Sequence, residues 1–256
     1  MNIGKISESV LKHSVLNQIH TKREEVLNGA GIGVDCAVFA LSDREALAVC
    51  AREAAVAIQA DVGAALAEEI SMAHLIQKCA NNLAVSGAKP IAATITLVLP
   101  ETAEPEDIKK LMEEAEDACA GLSTQIAGGQ TRASKAVTSP LAVVNMYGKT
   151  AGQNYPNLKV VKPGMDIVVS KWIGLEGTAA LARRNKQKLL NRYPAYLAEE
   201  AEAFDRYLSI IPEAATAMKS GVCAMHDASE GGIFAALWEF AEGAGIGLGT
   251  KAYGAY

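Results

Sequence analysis

The sequence predicts an α/β protein with mixed sheets, built as a strand-and-helix N-terminal domain followed by a small α/β C-terminal domain. Three observations predict it. Short apolar runs rich in β-branched residues alternate with longer runs at helical spacing. The strands arrive both as hairpins and through intervening helices, which calls for a sheet with both strand directions. The stretch 151–164 holds two prolines, two glycines and two asparagines, the best linker candidate in the chain. It divides domains at 1–150 and 165–256.

Half of the 256 residues are apolar and 21% are charged, a balance that supports a sizeable core and excludes disordered and fibrous classes. The net charge of -5, with Lys and Arg scattered, offers no basic field, so nucleic acid is not an expected partner. The five cysteines are an odd number without CxxC or Cys/His ligand spacing and sit mostly in apolar runs. They read as buried, reduced thiols. The first 20 residues lack an unbroken apolar core, and no stretch reaches the roughly 20 apolar residues of a membrane span. The cytoplasm is the expected location.

From Ser7 as N-cap to Ile19, residues Val10, Leu11, Leu16 and Ile19 recur at helical spacing and predict an amphipathic helix. Cys36–Leu41 and Ala46–Cys50 read as a hairpin turned by Ser42-Asp43-Arg44. Glu68–Val85 reads as a helix stopped by Gly87, and Ile91–Leu99 as a strand. Pro105 with Glu104, Glu106 and Asp107 opens a helix to about Leu122, since acidic groups suit the N-terminal end of the helix dipole. Gln125–Ala127 and Leu141–Tyr147 read as strands on either side of a polar loop, 128–135. In the second part Asp166–Ser170 and Val222–Met225 read as strands. Gly174–Arg184, Tyr196–Lys219 with a break near Pro212, and Glu230–Ala244 read as helices. That βααβα pattern is small for a domain of its kind and reads as shortened.

Three glycine-containing turns stand out: Gly29–Asp35, Gly128-Gly129-Gln130-Thr131, and Asp227-Ala228-Ser229-Glu230-Gly231-Gly232. Glycines let a backbone approach phosphate oxygens, and a nearby carboxylate can hold the Mg²⁺ that accompanies a nucleotide. The alternative is that they only supply turns with positive φ. His226, before Asp227, is placed either as a general base or as a strand-end hydrogen-bonding group. Lys171 either neutralises a phosphate or forms a surface ion pair.

Five blocks in order carry a resemblance: GVDCAVF at Gly33–Phe39, NNLAVSGAKPIAATITLVLPE at Asn81–Glu101, IAGGQT at Ile126–Thr131, GMDIVVSKWIGLEGTAALA at Gly164–Ala182, and MHDASEGGIFAALWEFAEGAGIG at Met225–Gly247. Together they resemble the aminoimidazole ribonucleotide synthase-like superfamily, which also contains thiamine-monophosphate kinase, selenophosphate synthetase and the hydrogenase maturation dehydratase. The LEGTAALA and HDASEGG blocks are most similar to the hydrogenase-maturation branch.

The resemblance implies a homodimer whose N-terminal domains pair their strands into a shared barrel, with ATP in the cleft. It implies ATP-dependent phosphoryl transfer to a carbonyl, thio or phosphate centre, which relies on positioning and charge neutralisation. Nucleotide contacts fall on Gly31, Gly33, Asp35, Asn82, Gly128, Gly129, Thr131, Asp227, Glu230 and Gly231, metal on Asp35 and Asp227, and the catalytic candidates are His226 and Asp227. A maturation protein is the implied partner.

The departures point the other way. Val34, Asn82 and Gln130 stand where the superfamily commonly has Asp, and Ala51-Arg52-Glu53 offers only Glu53 for a further aspartate. The hydrogenase-maturation enzyme's C-terminal cysteine has no equivalent, since the last cysteine is Cys223. The alternative reading is therefore a degenerate, non-catalytic homodimer that binds a ligand or protein partner.

Overall fold

The computed structural model describes residues 4–57, 69–152 and 155–249. Its centre is one six-stranded mixed sheet in the order β1-β2-β3-β6-β4-β5. The strands are β1 (Val26–Asn28), β2 (Ala37–Ala40), β3 (Glu45–Ala55), β4 (Lys89–Leu99), β5 (Gln125–Ala133) and β6 (Leu141–Ala151). All pairs are antiparallel except β4 with β5, whose parallel crossover runs through helix α3 (Pro105–Gly121). The mixed α/β class expected from the sequence is what the chain adopts.

Helix α2 (Met72–Val85) is the core element. Ser71 caps it by accepting from the His74 amide at 3.1 Å, and Gly87, at φ +68°, follows its end. Ten of its fourteen residues are buried, so both its faces are covered. Leu75, Ile76, Cys79 and Leu83 pack on alternate sheet residues, among them Ala48, Ile95, Leu97, Val144 and Met146. The start of the predicted helix at Glu68 lies outside the described residues. Helix α3 begins with Pro105, and Glu104 and Asp107 close a reciprocal capping box. On the opposite sheet face the alternate residues Val143, Asn145 and Tyr147 are only half-buried.

Several expectations need correction. The opening segment winds as a short helix α1 (Glu8–Val10), a wide turn (Leu11–Val15) and a tight turn (Leu16–Gln18) with no buried residue. Its apolar residues are at most partly buried, and packing rather than propensity stabilises most helices. The predicted loop 128–135 is mostly strand, because β4 offers Thr94–Leu99 as a parallel partner along Gly128–Ala133. The residues from Gly128 to Ala133 lie exposed on the sheet's outer edge.

Neither Asp166–Ser170 nor Val222–Met225 is a strand. A strand exists only when its backbone is paired, and the described residues of the second part offer no partner: Val168 is 89% exposed, and the Cys223 carbonyl accepts from the Asn157 amide instead. The second part is helices and loops: α4 (Leu175–Arg184), α5 (Lys186–Leu190), α6 (Ala195–Glu202), a tight turn (Ala203–Tyr207), α7 (Ile211–Lys219) and α8 (Gly232–Ala244). The expected long helix is thus broken at Ala203–Ile210, and Pro212 opens α7 rather than interrupting a helix.

Candidate functional site

The seam between the two halves is built by close backbone approach. Gly33 adopts φ +70° and lies against α8, where an added Cβ would meet the Glu239 carbonyl at 2.6 Å. Gly243 answers from α8, where a Cβ would meet the Ile32 carbonyl at 2.7 Å. These glycines let the loop before β2 and helix α8 touch, which sets Asp35 beside His226. A small cleft opens along this seam, lined by Gly33, Asp35, Ser86, Asn157, Lys159 and Met225 among others.

From β3, Arg52 continues the inward row Ala46, Ala48 and Cys50, and so reaches the last turn of α2. Its Nη2 donates to Asn82 Oδ1 at 3.0 Å. The same guanidinium lies 3.7 Å from Asp227 and 4.0 Å from Glu230, just before α8. Asn82 Nδ2 donates to the Asp35 carbonyl at 3.5 Å.

His226 sits between two carboxylates. Its Nδ1 is 2.7 Å from Asp35 Oδ2 and its Nε2 is 3.1 Å from Glu239 Oε2. Burial alone would pull its pKa down, but the hydrogen bond and charge of Asp35, with Asp227 and Glu239, outweigh it and hold the ring at about 9. At neutral pH it is an imidazolium that donates from both nitrogens. Asp227 moves to about 7, because burial and then the Asp35 charge disfavour its ionised form more than Arg52 favours it.

Asp35, His226 and Asp227 each offer a ligand atom within 4.8 Å of the others. That set does not fit Mg²⁺, which demands near-octahedral oxygen donors and keeps several waters. The only nitrogen donor has both ring atoms engaged by carboxylates, and Asp227 already faces a guanidinium.

Of the residues singled out from the sequence, Asp35, Asn82, His226, Asp227 and Glu230 lie together, and Gly33 lines the cleft beside them. Gly31 belongs to the same loop, and Gly231, at φ +81°, caps α8. Gly128, Gly129 and Thr131 lie elsewhere in the chain: β5 is separated from β3 by β4 and β6. Gly129 is required there by close approach, since a Cβ would fall 1.8 Å from the Ile95 carbonyl. Lys171 is spent inside the protein, donating to the Tyr207 and Ser209 carbonyls and pairing with Glu213.

Arg52, Glu239 and Asn81 were not legible as functional groups. Arg52 stands in an apolar strand, and Glu239 two turns into α8 carries no local pattern. Asn81 ties α2 to the second half, donating to the Leu208 carbonyl at 2.8 Å and accepting from the Ile210 amide at 3.1 Å.

Residues 33–150 match the N-terminal domain of AIR synthase related proteins, and residues 162–250 match their C-terminal domain. A putative hydrogenase expression/formation protein of Methanocaldococcus jannaschii is 28% identical over 176 residues, 66% of this chain and 48% of the relative. The chain thus spans about half the length of that curated relative. The fold is shared with AaThiL complexed with AMPPCP and TMP (TM-score 0.65, 17% identity, 95% of this chain and 74% of that one). It is also shared with a HypE-HypF complex (0.62, 18%, 92% and 70%) and with Escherichia coli HypE, a hydrogenase maturation protein (0.58, 20%, 78% and 58%).

Proposed function

The chain belongs to the AIR synthase related protein family, and we propose that it binds ATP in the seam between its two halves and acts as a homodimer in hydrogenase maturation or a related pathway. The observation that carries this reading is the convergence of Asp35, Asn82 and Arg52 from the first half with His226 and Asp227 from the second in one cluster at the seam, where Asp35 also lines the cleft. Buried charged groups cost free energy to assemble, so such a cluster is a functional-site signal. Likeness to AaThiL bound to AMPPCP supports a nucleotide as the ligand.

In this reading residues 1–150 and 165–256 are the two domains, joined by 151–164, and the protein works in the cytoplasm. Among the described residues no helix is long and apolar enough to cross a membrane. The half-buried sheet face would pair with a second copy, bringing β5 glycines of one protomer toward the ligand of the other. The likeness to a HypE-HypF complex supports a maturation protein as a further partner. The reaction would be phosphoryl transfer to a carbonyl, thio or phosphate centre, with positioning and charge doing the catalysis.

A second reading, nucleotide or partner binding without turnover, is favoured by the salt bridges that already occupy Asp35 and Asp227. Calorimetric titration with ATP, followed by an assay for phosphate release, separates the two. Saturable binding that weakens at least about tenfold in Asp35→Ala, which breaks the His226 contact that closes the seam beside the cleft, supports the site. Absence of binding up to millimolar ATP overturns it, and binding without release selects the second reading.

A further inference from the structure

The donor set around Asp35 and Asp227 disagrees with Mg²⁺, and an alternative cation is in place. We infer that Arg52 stands in for the divalent ion: its guanidinium faces the carboxylates of Asp227 and Glu230, and its spare N–H groups bind the phosphate end of the ligand directly. This deepens the ATP-binding reading and rests on it for the identity of the ligand, though not for the anion chemistry.

The geometry supplies each part. A guanidinium carries five N–H donors in a planar fork. Arg52 commits one hydrogen bond, to Asn82 Oδ1 at 3.0 Å, while Asp227 and Glu230, at 3.7 and 4.0 Å, lie beyond hydrogen-bonding distance. Its side chain retains 20% exposure, so an oxyanion can reach it from solvent. Donor capacity, charge and access therefore coincide at one group.

Asn82 holds the guanidinium in place through one hydrogen bond and leaves its other donors uncommitted. An amide oxygen anchors the guanidinium without neutralising it, where a carboxylate at the same distance would form a tight ion pair. His226 meets the other side of the carboxylate cluster, bridging Asp35 and Glu239 through both ring nitrogens. Asp35 and Asp227 thus already have cationic partners within 4 Å. The ligand class that suits the remaining fork is a phosphoryl oxyanion, whose paired oxygens match it bidentately.

The test is binding of ATP and, separately, inorganic pyrophosphate, in excess EDTA and in excess Mg²⁺, to the wild-type chain, Arg52→Gln, Arg52→Lys and Asn82→Asp. Wild-type affinity is expected to change less than about twofold on removing Mg²⁺. Arg52→Gln should weaken EDTA binding by about tenfold or more, with Arg52→Lys between them, as loss of a charged, bidentate contact implies. Asn82→Asp, which neutralises the fork without removing it, should lose metal-free binding and gain a Mg²⁺ requirement.

Wild-type binding that requires Mg²⁺, or an Arg52→Gln variant that binds normally in EDTA, overturns the inference. The EDTA comparison on the wild-type chain decides the matter even if a variant fails to fold. Metal-free pyrophosphate binding lost in Arg52→Gln, without ATP binding, would uphold the inference and sink only the ATP reading. Binding of neither ligand sinks both.

Discussion

His226 donates to Asp35 across 2.7 Å, and this single contact joins the loop before β2 to the segment before α8, 191 residues apart in the chain. With Glu239 on its other nitrogen, the ring is held charged at neutral pH in a setting that is 8% exposed. The charge of His226 is therefore a structural element of the seam.

Stability should fall as pH rises. The His226 pKa of about 9 exceeds its ordinary 6.5, so its proton contributes fully below pH 6.5, and the contribution is lost as pH approaches 9. Asp227, raised from 3.8 to about 7, likewise binds a proton more tightly folded than unfolded, so its contribution is lost between about pH 4 and 7. Thermal denaturation across pH 4 to 9 should show Tm descending, with the segment above pH 6.5 flattened in His226→Gln. A wild-type Tm that is level or rising from pH 6.5 to 9 contradicts this assignment.

Asn81 should matter for stability rather than for ligand binding. Its side chain makes bonds of 2.8 and 3.1 Å to Leu208 and Ile210 and accepts from Gln77 Nε2 at 2.9 Å. Truncation leaves a partly buried amide and carbonyl without partners, at a cost of about 2 kcal/mol. Urea unfolding of Asn81→Ala should show that loss at unchanged slope, and a loss below about 0.5 kcal/mol would mean water replaces the amide.

The sheet and its two large helices were readable because local signals agreed with packing. Ser71, Gly87 and Pro105 stand where caps and stops belong, and alternate residues of β6 are buried. The extension of β5 was unreadable because Gly128-Gly129-Gln130-Thr131 has loop composition and becomes strand only through β4. Asp166–Ser170 failed for the opposite reason: its β-branched run has strand composition, but pairing is a property of neighbours. At the site, Asp35 and Asp227 were legible from glycine-flanked motifs, whereas Arg52 becomes interesting only once β3 carries it to Asn82.

Gly33 and Gly221 offer a matched test of the seam. Both have positive φ, at +70° and +79°, but a Cβ at Gly221 meets nothing within 4 Å while one at Gly33 collides with the Glu239 carbonyl. Gly221→Ala should cost about 1 kcal/mol of backbone strain, and Gly33→Ala about 3 kcal/mol or more once the displaced contact is added. Equal losses in chemical denaturation would show that α8 moves away freely and that the seam is loose.

The homodimer reading makes its own demand on the sheet. Thr96 lies opposite Val143, and Ala92 opposite Tyr147, on the face that α2 and α3 do not bury. If this half-buried face pairs with its own copy, a charge at its centre must be desolvated on pairing but stays solvated in a monomer. Val143→Lys should therefore weaken self-association by about 2 kcal/mol or more, read by sedimentation, while far-UV circular dichroism stays that of the folded chain. A wild-type chain that sediments as a monomer at every concentration removes the dimer; a lysine variant that still dimerises moves the contact off this face, leaving the β5 edge as the place to look.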